Sequence, residues 1–190
     1  MHLVEQDFVE YGHSENNFYP SIFISKKAHY VNGKLDGVSK EFYMNGSINW
    51  IVNYANGKRR GEFKIYDKDG NLSSISNYVN GELDGDFIYF ADDGHTVIRI
   101  EHYTDGQLNG QVKEFYKNGQ LKFLDTYEDW VLHGPHEWYF DTGQIREKGQ
   151  YMYDTKYGKW KIYNKTGKVI KTYQYNLRHS VWKELIKNEC

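Results

Sequence analysis

The stretch Tyr103-Thr-Asp-Gly-Gln-Leu-Asn-Gly-Gln-Val-Lys-Glu-Phe-Tyr-Lys-Asn-Gly119 decides the fold, because its tyrosine and glycines return throughout the chain. The first tyrosine returns at steps of 24, 24, 25, 24, 24 and 24 residues, as Tyr30, Tyr54, Tyr78, Tyr103, Tyr127, Tyr151 and Tyr175. A fixed period of this length is the signature of a repeat array. Such arrays stack similar units into long surfaces, and their usual role is binding rather than catalysis.

Two glycine columns keep the same period and mark two turns in each unit. The first turn contains Asn32-Gly33, and it returns as Asn56-Gly57 and Asp105-Gly106, dipeptides in which both positions accept positive φ. The glycine columns are Gly37, Gly61, Gly85, Gly110, Gly134 and Gly158, and Gly46, Gly70, Gly94, Gly119, Gly143 and Gly167. Short aromatic and β-branched runs lie between the turns and favour strands. The sequence therefore predicts an all-β antiparallel ribbon with two strands per repeat.

Three segments organise the chain. Residues 1–27 are expected to form an N-terminal cap, residues 28–175 the repeat array, and residues 176–190 a C-terminal cap. Ser180 is a candidate N-cap for a short C-terminal helix, with a final irregular strand as the alternative. The apolar face of that helix would comprise Val181, Trp182, Leu185 and Ile186.

An apolar stripe lies opposite the tyrosine ladder. It comprises the residues three before successive tyrosines, namely Ile51, Ile75, Ile100 and Leu124. We expect the N-terminal segment to cover this stripe. A partner protein or a second copy of the chain is the alternative, because large exposed apolar patches mark interaction sites.

Nothing in the sequence points to catalysis. The glycines do not form the Gly-x-Gly-x-x-Gly or Gly-x4-Gly-Lys-(Ser/Thr) patterns that bind phosphates. His133 and His136 are close in sequence but lack a Cys or carboxylate at metal-ligand spacing, and Cys190 has no positioned base. We therefore expect a non-enzyme without cofactor or metal. The start of the chain lacks the order of a signal peptide, which favours a cytoplasmic protein.

Charge is unevenly distributed, although the formal net charge is only −2. Residues 82–143 carry 13 acidic and 4 basic side chains, whereas residues 144–190 carry 4 and 11. Solvated turns explain this pattern, and an acidic dock for a basic partner is the functional alternative. The first half holds one basic cluster, Lys58, Arg59, Arg60 and Lys64, which is a candidate contact for an anion or lipid head group.

Segments such as Tyr30-Val-Asn-Gly-Lys-Leu-Asp-Gly37 followed by Lys40-Glu-Phe-Tyr-Met-Asn-Gly46 resemble MORN repeats, in the variant found in bacteria. The resemblance covers roughly residues 28–175 and implies an elongated, twisted, single-layer antiparallel sheet. Bacterial proteins of this variant are often classed as antitoxins or immunity proteins, and eukaryotic MORN proteins are linked to phospholipids and scaffolding. The fifth and sixth units depart from the pattern, with Trp130 and Asp154 at the first-turn glycine.

The resemblance thus implies an immunity protein or antitoxin that binds and neutralises a cognate toxin, with a scaffold or phospholipid-binding module as the alternative. If the toxin is a basic, nucleic-acid-directed enzyme, the acidic middle of the chain is its expected dock. Direct nucleic-acid binding is not expected, and a homodimer is a further candidate. The candidate partner-binding residues are Asp84, Asp86, Asp92, Asp93, Glu101, Asp105 and Trp130.

Overall fold

The computed structural model describes residues 5–14, 21–176 and 179–184. Over these residues the chain contains seventeen strands and no helix, arranged in two compact units, Met1–Thr96 and Val97–Cys190. The strands of the first unit are β1 (Glu5–Ser14), β2 (Ser21–Val31), β3 (Lys34–Leu35), β4 (Gly37–Phe42), β5 (Ile48–Ala55), β6 (Lys58–Tyr66), β7 (Leu72–Val79), β8 (Glu82–Leu83) and β9 (Gly85–Phe90). Neighbouring strands pair antiparallel in chain order, from β1 with β2 to β6 with β7. The short strands β3 and β8 share a partner with the strand that follows them: β2 pairs with β3 and β4, and β7 pairs with β8 and β9.

The second unit continues the same two-strand repeat. Its strands are β10 (Val97–Thr104), β11 (Gln107–Phe115), β12 (Leu121–Glu128), β13 (Val131–Tyr139), β14 (Ile145–Met152), β15 (Thr155–Tyr163), β16 (Val169–Asn176) and β17 (His179–Glu184). Each pairs antiparallel with the next in the chain. The predicted fold class, an all-β antiparallel sheet of hairpin repeats, is confirmed.

The two turns of each repeat have different geometry. The first is a two-residue hairpin with positive φ at both positions, 50° and 76° at Asn32 and Gly33, as the primed turns of hairpins require. The second is a three-residue loop closed by its glycine: the Gly46 amide donates to the Tyr43 carbonyl at 2.9 Å, and the Tyr43 amide donates to the Ser47 carbonyl at 2.9 Å. The glycine there has φ 86°, which favours glycine because it lacks a Cβ.

The core of each unit is a line of side chains that crosses the strands. In the first unit, Ser39, Val52, Phe63 and Ser76 are successive cross-strand partners. The second unit has a line of its own, in which Val112, Asp125, His136 and Gly149 are successive partners and the Trp160 ring covers Gly149. Val52, Val112 and Trp160 are each almost completely buried.

The apolar stripe on the opposite face is covered from within the sheet. Ile51 lies directly between Lys40 and Lys64, and Leu124 is paired with Lys113. Cross-strand partners share a face, with Cβ atoms about 4.5–5.5 Å apart, and lysine stems cover apolar surface while the ammonium group stays in water. All four stripe residues are therefore half-buried.

The described part of the N-terminal segment, residues 5–14 and 21–27, does not supply the expected cover. β1 pairs with β2 along its length, from Glu5 opposite Val31 to Ser14 opposite Ser21, with one irregularity between Glu10 and Tyr11. An extended strand that satisfies its backbone in this way lies in the sheet and not across its face, so that expectation was wrong.

At the other end, His179–Glu184 forms strand β17, paired with β16. The described part of the C-terminal segment is thus the strand alternative and not the short helix. Leu185 and Ile186 of the expected helical face lie outside the described residues. The boundaries at residues 27 and 175 stay predictions.

Candidate functional site

The first turns keep their geometry even where the sequence departs from Asn-Gly. Trp130 and Asp154 occupy the glycine position with φ of 69° and 60°, and Tyr153 occupies the preceding position with φ of 49°. Positive φ is unusual for residues other than glycine and costs roughly 1–2 kcal/mol, most clearly for bulky side chains. The backbone of these two turns is therefore strained, although the hairpins are intact.

Hydrogen bonds between repeats hold these turns in place. The Trp130 amide donates to the Leu108 carbonyl at 3.0 Å, and the Asp154 amide donates to the Leu132 carbonyl at 3.0 Å. A carboxylate oxygen of Asp154 also accepts the Leu132 amide at 2.9 Å. Consecutive turns therefore lie beside each other on one edge of the second unit, which we call the turn edge: residues 104–107, 128–131 and 152–155.

Two large aromatic side chains are exposed on the turn edge. Trp130 is 56% exposed and meets the Tyr103 ring edge-on at 5.7 Å between centroids. Tyr153 is 69% exposed and meets the His133 ring edge-on at 4.9 Å. Each ring thus contacts one neighbouring ring while its side chain is more than half exposed, and Trp and Tyr are enriched among binding hot spots.

Four predicted partner-binding residues belong to the first unit, and they are not equivalent. Asp86 and Asp92 are exposed, and Asp84 is half-buried. Asp93 caps its own turn, because its carboxylate accepts the Thr96 hydroxyl at 2.5 Å and the amides of Thr96 and His95. These hydrogen bonds, chiefly the one from the Thr96 hydroxyl, lower the pKa of Asp93 to about 2. Its carboxylate is ionised but already occupied.

The other three predicted residues belong to the second unit. Asp105 and Trp130 are exposed in first turns. Glu101 is instead buried in the sheet, where it accepts hydrogen bonds from Arg99 Nε at 2.7 Å and the Tyr103 hydroxyl at 2.9 Å. A buried carboxylate with these partners neutralises a neighbouring charge, so Glu101 is a structural residue and not a surface contact.

The basic cluster of the first unit borders a cavity of about 670 Å³. Lys58 and Arg60 are exposed, whereas Arg59 is half-buried and lies over the rings of Phe63 and Tyr78 at 5.0 and 5.1 Å. Lys64 pairs with Glu62 at 2.7 Å. The cavity is lined by Ala55, Asn56, Lys58, Arg59, Arg60, Gly61, Asn77, Tyr78, Val79 and Asn80. Three of the four predicted anion contacts thus surround one opening.

The two histidines of the fifth unit do not form a site together. His136 Nδ1 lies 2.5 Å from an Asp125 carboxylate oxygen, and the His136 ring stacks on the Trp160 ring. His133 Nδ1 is buried without a hydrogen-bond partner among the described residues. Within that part of the chain, no group of three His, Cys, Asp or Glu side chains is arranged to hold a metal ion.

The sequence reasoning missed Tyr153 and Gly149. Tyr153 replaces the Asn or Asp that opens every other first turn, and that departure was the available signal. Gly149 has no positive φ and lies outside both glycine columns. Only its contact with Trp160 explains it: a Cβ there would lie 2.2 Å from Trp160 Cδ2.

No helix in the described ranges is long and apolar enough to cross a membrane. The family model described as MORN repeat variant matches the chain at residues 59–80, 108–129, 132–152 and 156–177. No curated protein matches the chain. Each matched segment runs from one first turn of the sheet to the next, which is one repeat. The chain therefore contains MORN repeats of the variant type.

Proposed function

We propose that this protein is an immunity protein or antitoxin that binds and neutralises a cognate bacterial toxin in the cytoplasm. The presence of MORN repeats supports the coarser part of this proposal, a non-catalytic binding role, because repeat sheets present rows of side chains to a partner. The observation that carries the finer part is the set of exposed carboxylates that each unit presents by itself, Asp86 and Asp92 in the first and Asp105 in the second.

A toxin that acts on nucleic acid carries a basic surface, since phosphates are bound through Lys and Arg. Opposite charge on the inhibitor accelerates association and excludes other partners. Asp86 and Asp92 in the first unit, and Asp105 in the second, offer exposed carboxylates for this purpose. Asp93 and Glu101 are not included, because Asp93 caps its own turn and Glu101 is buried in the sheet.

The test is affinity purification of the tagged chain from its native cell, with the mass of the intact complex and the activity of the bound protein. A stoichiometric complex with a small basic enzyme whose activity is blocked supports the proposal. A homodimer without a second protein contradicts it, and so does a partner without toxin activity. Cell fractionation tests the cytoplasmic location.

Charge reversal then tests the acidic surface. Asp86→Lys with Asp92→Lys is expected to slow association with the toxin by about tenfold or more at low salt, with a smaller effect at high salt. Glu10→Lys with Asp69→Lys is the matched control, because it makes the same charge change at exposed residues of the same unit. Equal association rates for the two double variants would remove these aspartates from the interface.

The cavity beside Arg59 favours a second candidate function, binding of an anionic head group at a membrane surface. Lys58 and Arg60 are exposed there, and Asn56, Asn77 and Asn80 also line the cavity. Sedimentation with vesicles that contain phosphatidylserine tests it. Salt-sensitive binding that Lys58→Gln with Arg60→Gln abolishes supports this function, and no binding to anionic vesicles excludes it.

A further inference from the structure

The turn edge of the second unit combines two features that the fold itself does not require. Trp130 and Tyr153 hold large side chains at positive φ, where the other first turns have Gly or a short Asn or Asp. They are also exposed, so burial does not repay the strain. Residues in strained conformations cluster at binding sites because the surrounding structure maintains them for function.

The two aromatic side chains are near neighbours on this edge. Each sits in a hairpin turn, and the two hairpins are consecutive, β12–β13 and β14–β15. Equivalent turns of adjacent hairpins are two strand spacings apart, about 10 Å. A short extended segment of a partner could therefore contact both rings at once.

The charge of the turn edge selects the kind of partner. Its three turns contain Asp105, Glu128, Asp129 and Asp154 and no Lys or Arg. The nearest following cation, Lys156, is engaged within the sheet, because its Nζ lies 2.6 Å from Glu147 and 3.8 Å from the centre of the Trp160 ring. A cation that approaches the edge thus meets carboxylates and exposed aromatic rings together.

We propose that the turn edge binds an Arg- or Lys-bearing segment of a partner protein, with cationic side chains over the faces of Trp130 and Tyr153. Cations are attracted to the faces of Trp and Tyr, and the neighbouring exposed carboxylates of Asp105 and Glu128 supply charge-assisted hydrogen bonds to guanidinium groups. Trp, Tyr and Arg are also the residues that dominate binding hot spots. This inference rests on the proposed function, since it identifies the surface on which a basic toxin would dock.

The experiment uses the full chain and hexa-arginine as the probe. Nuclear magnetic resonance follows the indole N–H of Trp130 and the ring of Tyr153 during titration, and hexaglutamate is the charge-reversed probe. We expect saturable shifts of both residues with hexa-arginine and none with hexaglutamate.

The test variant is Trp130→Gly with Tyr153→Asn, which keeps every carboxylate of the edge. It restores the Asn and Gly that occupy these positions in other repeats, so both turns should fold at least as well as in the parent chain. We expect it to bind hexa-arginine at least tenfold more weakly. Ile170→Asn is the matched control, because Ile170 is also 56% exposed but lies on β16 outside the turn edge, and it should bind like the parent chain.

Equal hexa-arginine affinity of the parent and the double variant would overturn the proposal, because charge alone would then account for binding. A second copy of the chain as the occupant would also overturn it. The signs of that outcome are Trp130 shifts that grow with protein concentration and a dimer that the double variant abolishes.

Failure of the proposed function is a separate result. Hexa-arginine binding at the edge without any toxin in the cell leaves this surface established and rejects the immunity role. Unchanged toxin affinity of the double variant places the toxin elsewhere and overturns the proposed docking.

Discussion

Replacement of Gly149 by Ala tests whether the close packing of Trp160 stabilises the second unit. A Cβ at Gly149 would lie 2.2, 2.3 and 2.6 Å from the Cδ2, Cε2 and Cγ atoms of Trp160. Ordinary carbon–carbon contacts are about 3.5–4.0 Å, so either the indole or the strand must move by roughly 1 Å or more.

The indole has little room to move. Trp160 is 1% exposed, and its ring contacts His136, Tyr151 and Tyr175 at 5.0–6.0 Å between centroids. Its Nε1 donates to the carbonyls of Gln150 and Tyr157, each at 3.2 Å. Overpacking of a filled core costs about 1–3 kcal/mol, and loss of a buried Trp costs about 3–5 kcal/mol. We therefore expect Gly149→Ala to lower the free energy of unfolding by about 2–4 kcal/mol.

The assay is urea unfolding followed by tryptophan fluorescence, with amide hydrogen exchange of β14 and β15 as the local readout. Hydrogen exchange is needed because the chain has two compact units and its unfolding need not be a single transition. The loss of protection should be concentrated in the second unit.

A double-mutant cycle with Trp160→Val separates steric conflict from a general effect of Ala. Val is suitable because Val112 occupies the equivalent core position two residues after its glycine. In the Val background the Gly149→Ala change should cost less than about 1 kcal/mol, since the indole is gone. Equal costs in both backgrounds, or no cost in the parent chain, would refute the reasoning.

Two further predictions concern pH. Burial raises the pKa of Tyr139 and Tyr151 from 10.0 to about 12. Between pH 10 and 12 the unfolded chain therefore loses protons that the folded chain keeps. The free energy of unfolding should fall as pH rises through this range. Tyr151→Phe should remove part of that slope in urea titrations, and an unchanged slope would contradict this assignment. At the acid end, the pKa of Asp93 is about 2, so its stabilising effect should be complete above pH 3.8 and lost as pH falls through 2. The carboxyl carbon resonance of Asp93 should titrate near pH 2 and move upward in Thr96→Val, whereas a midpoint near the ordinary Asp value in the parent chain would show that the capping bonds are absent.

The repeat architecture was predictable because its determinants are local. Asn-Gly and glycine turn signals depend on φ preferences of single residues, and they mark the correct positions throughout the described repeats. The fifth and sixth first turns illustrate the limit of this reasoning. Their sequences lack glycine at Trp130 and Asp154, yet hydrogen bonds to the carbonyls of Leu108 and Leu132 hold both in the same conformation.

The candidate site was predictable only in part. Charge counts identified the acidic middle, and a departure from the repeat identified Trp130, but the sequence assigned the same role to all six acidic candidates. Arg99 and Tyr103 donate hydrogen bonds to the Glu101 carboxylate, and Thr96 donates one to Asp93. The sequence could not predict these bonds, because hydrogen-bond partners depend on register and side-chain direction. Tyr153 became a candidate only when its φ and exposure were known.

The sequence by itself determined the period, the strand and turn order, and the antiparallel sheet, because each follows from backbone preferences repeated every 24 residues. Tertiary structure decided which side chains meet across strands. Cross-strand register places lysine stems beside Ile51 and the Trp160 ring over Gly149, and it sets Trp130 and Tyr153 on one edge. These contacts join residues of neighbouring strands, and their register depends on bulges and cross-repeat hydrogen bonds that no single segment encodes.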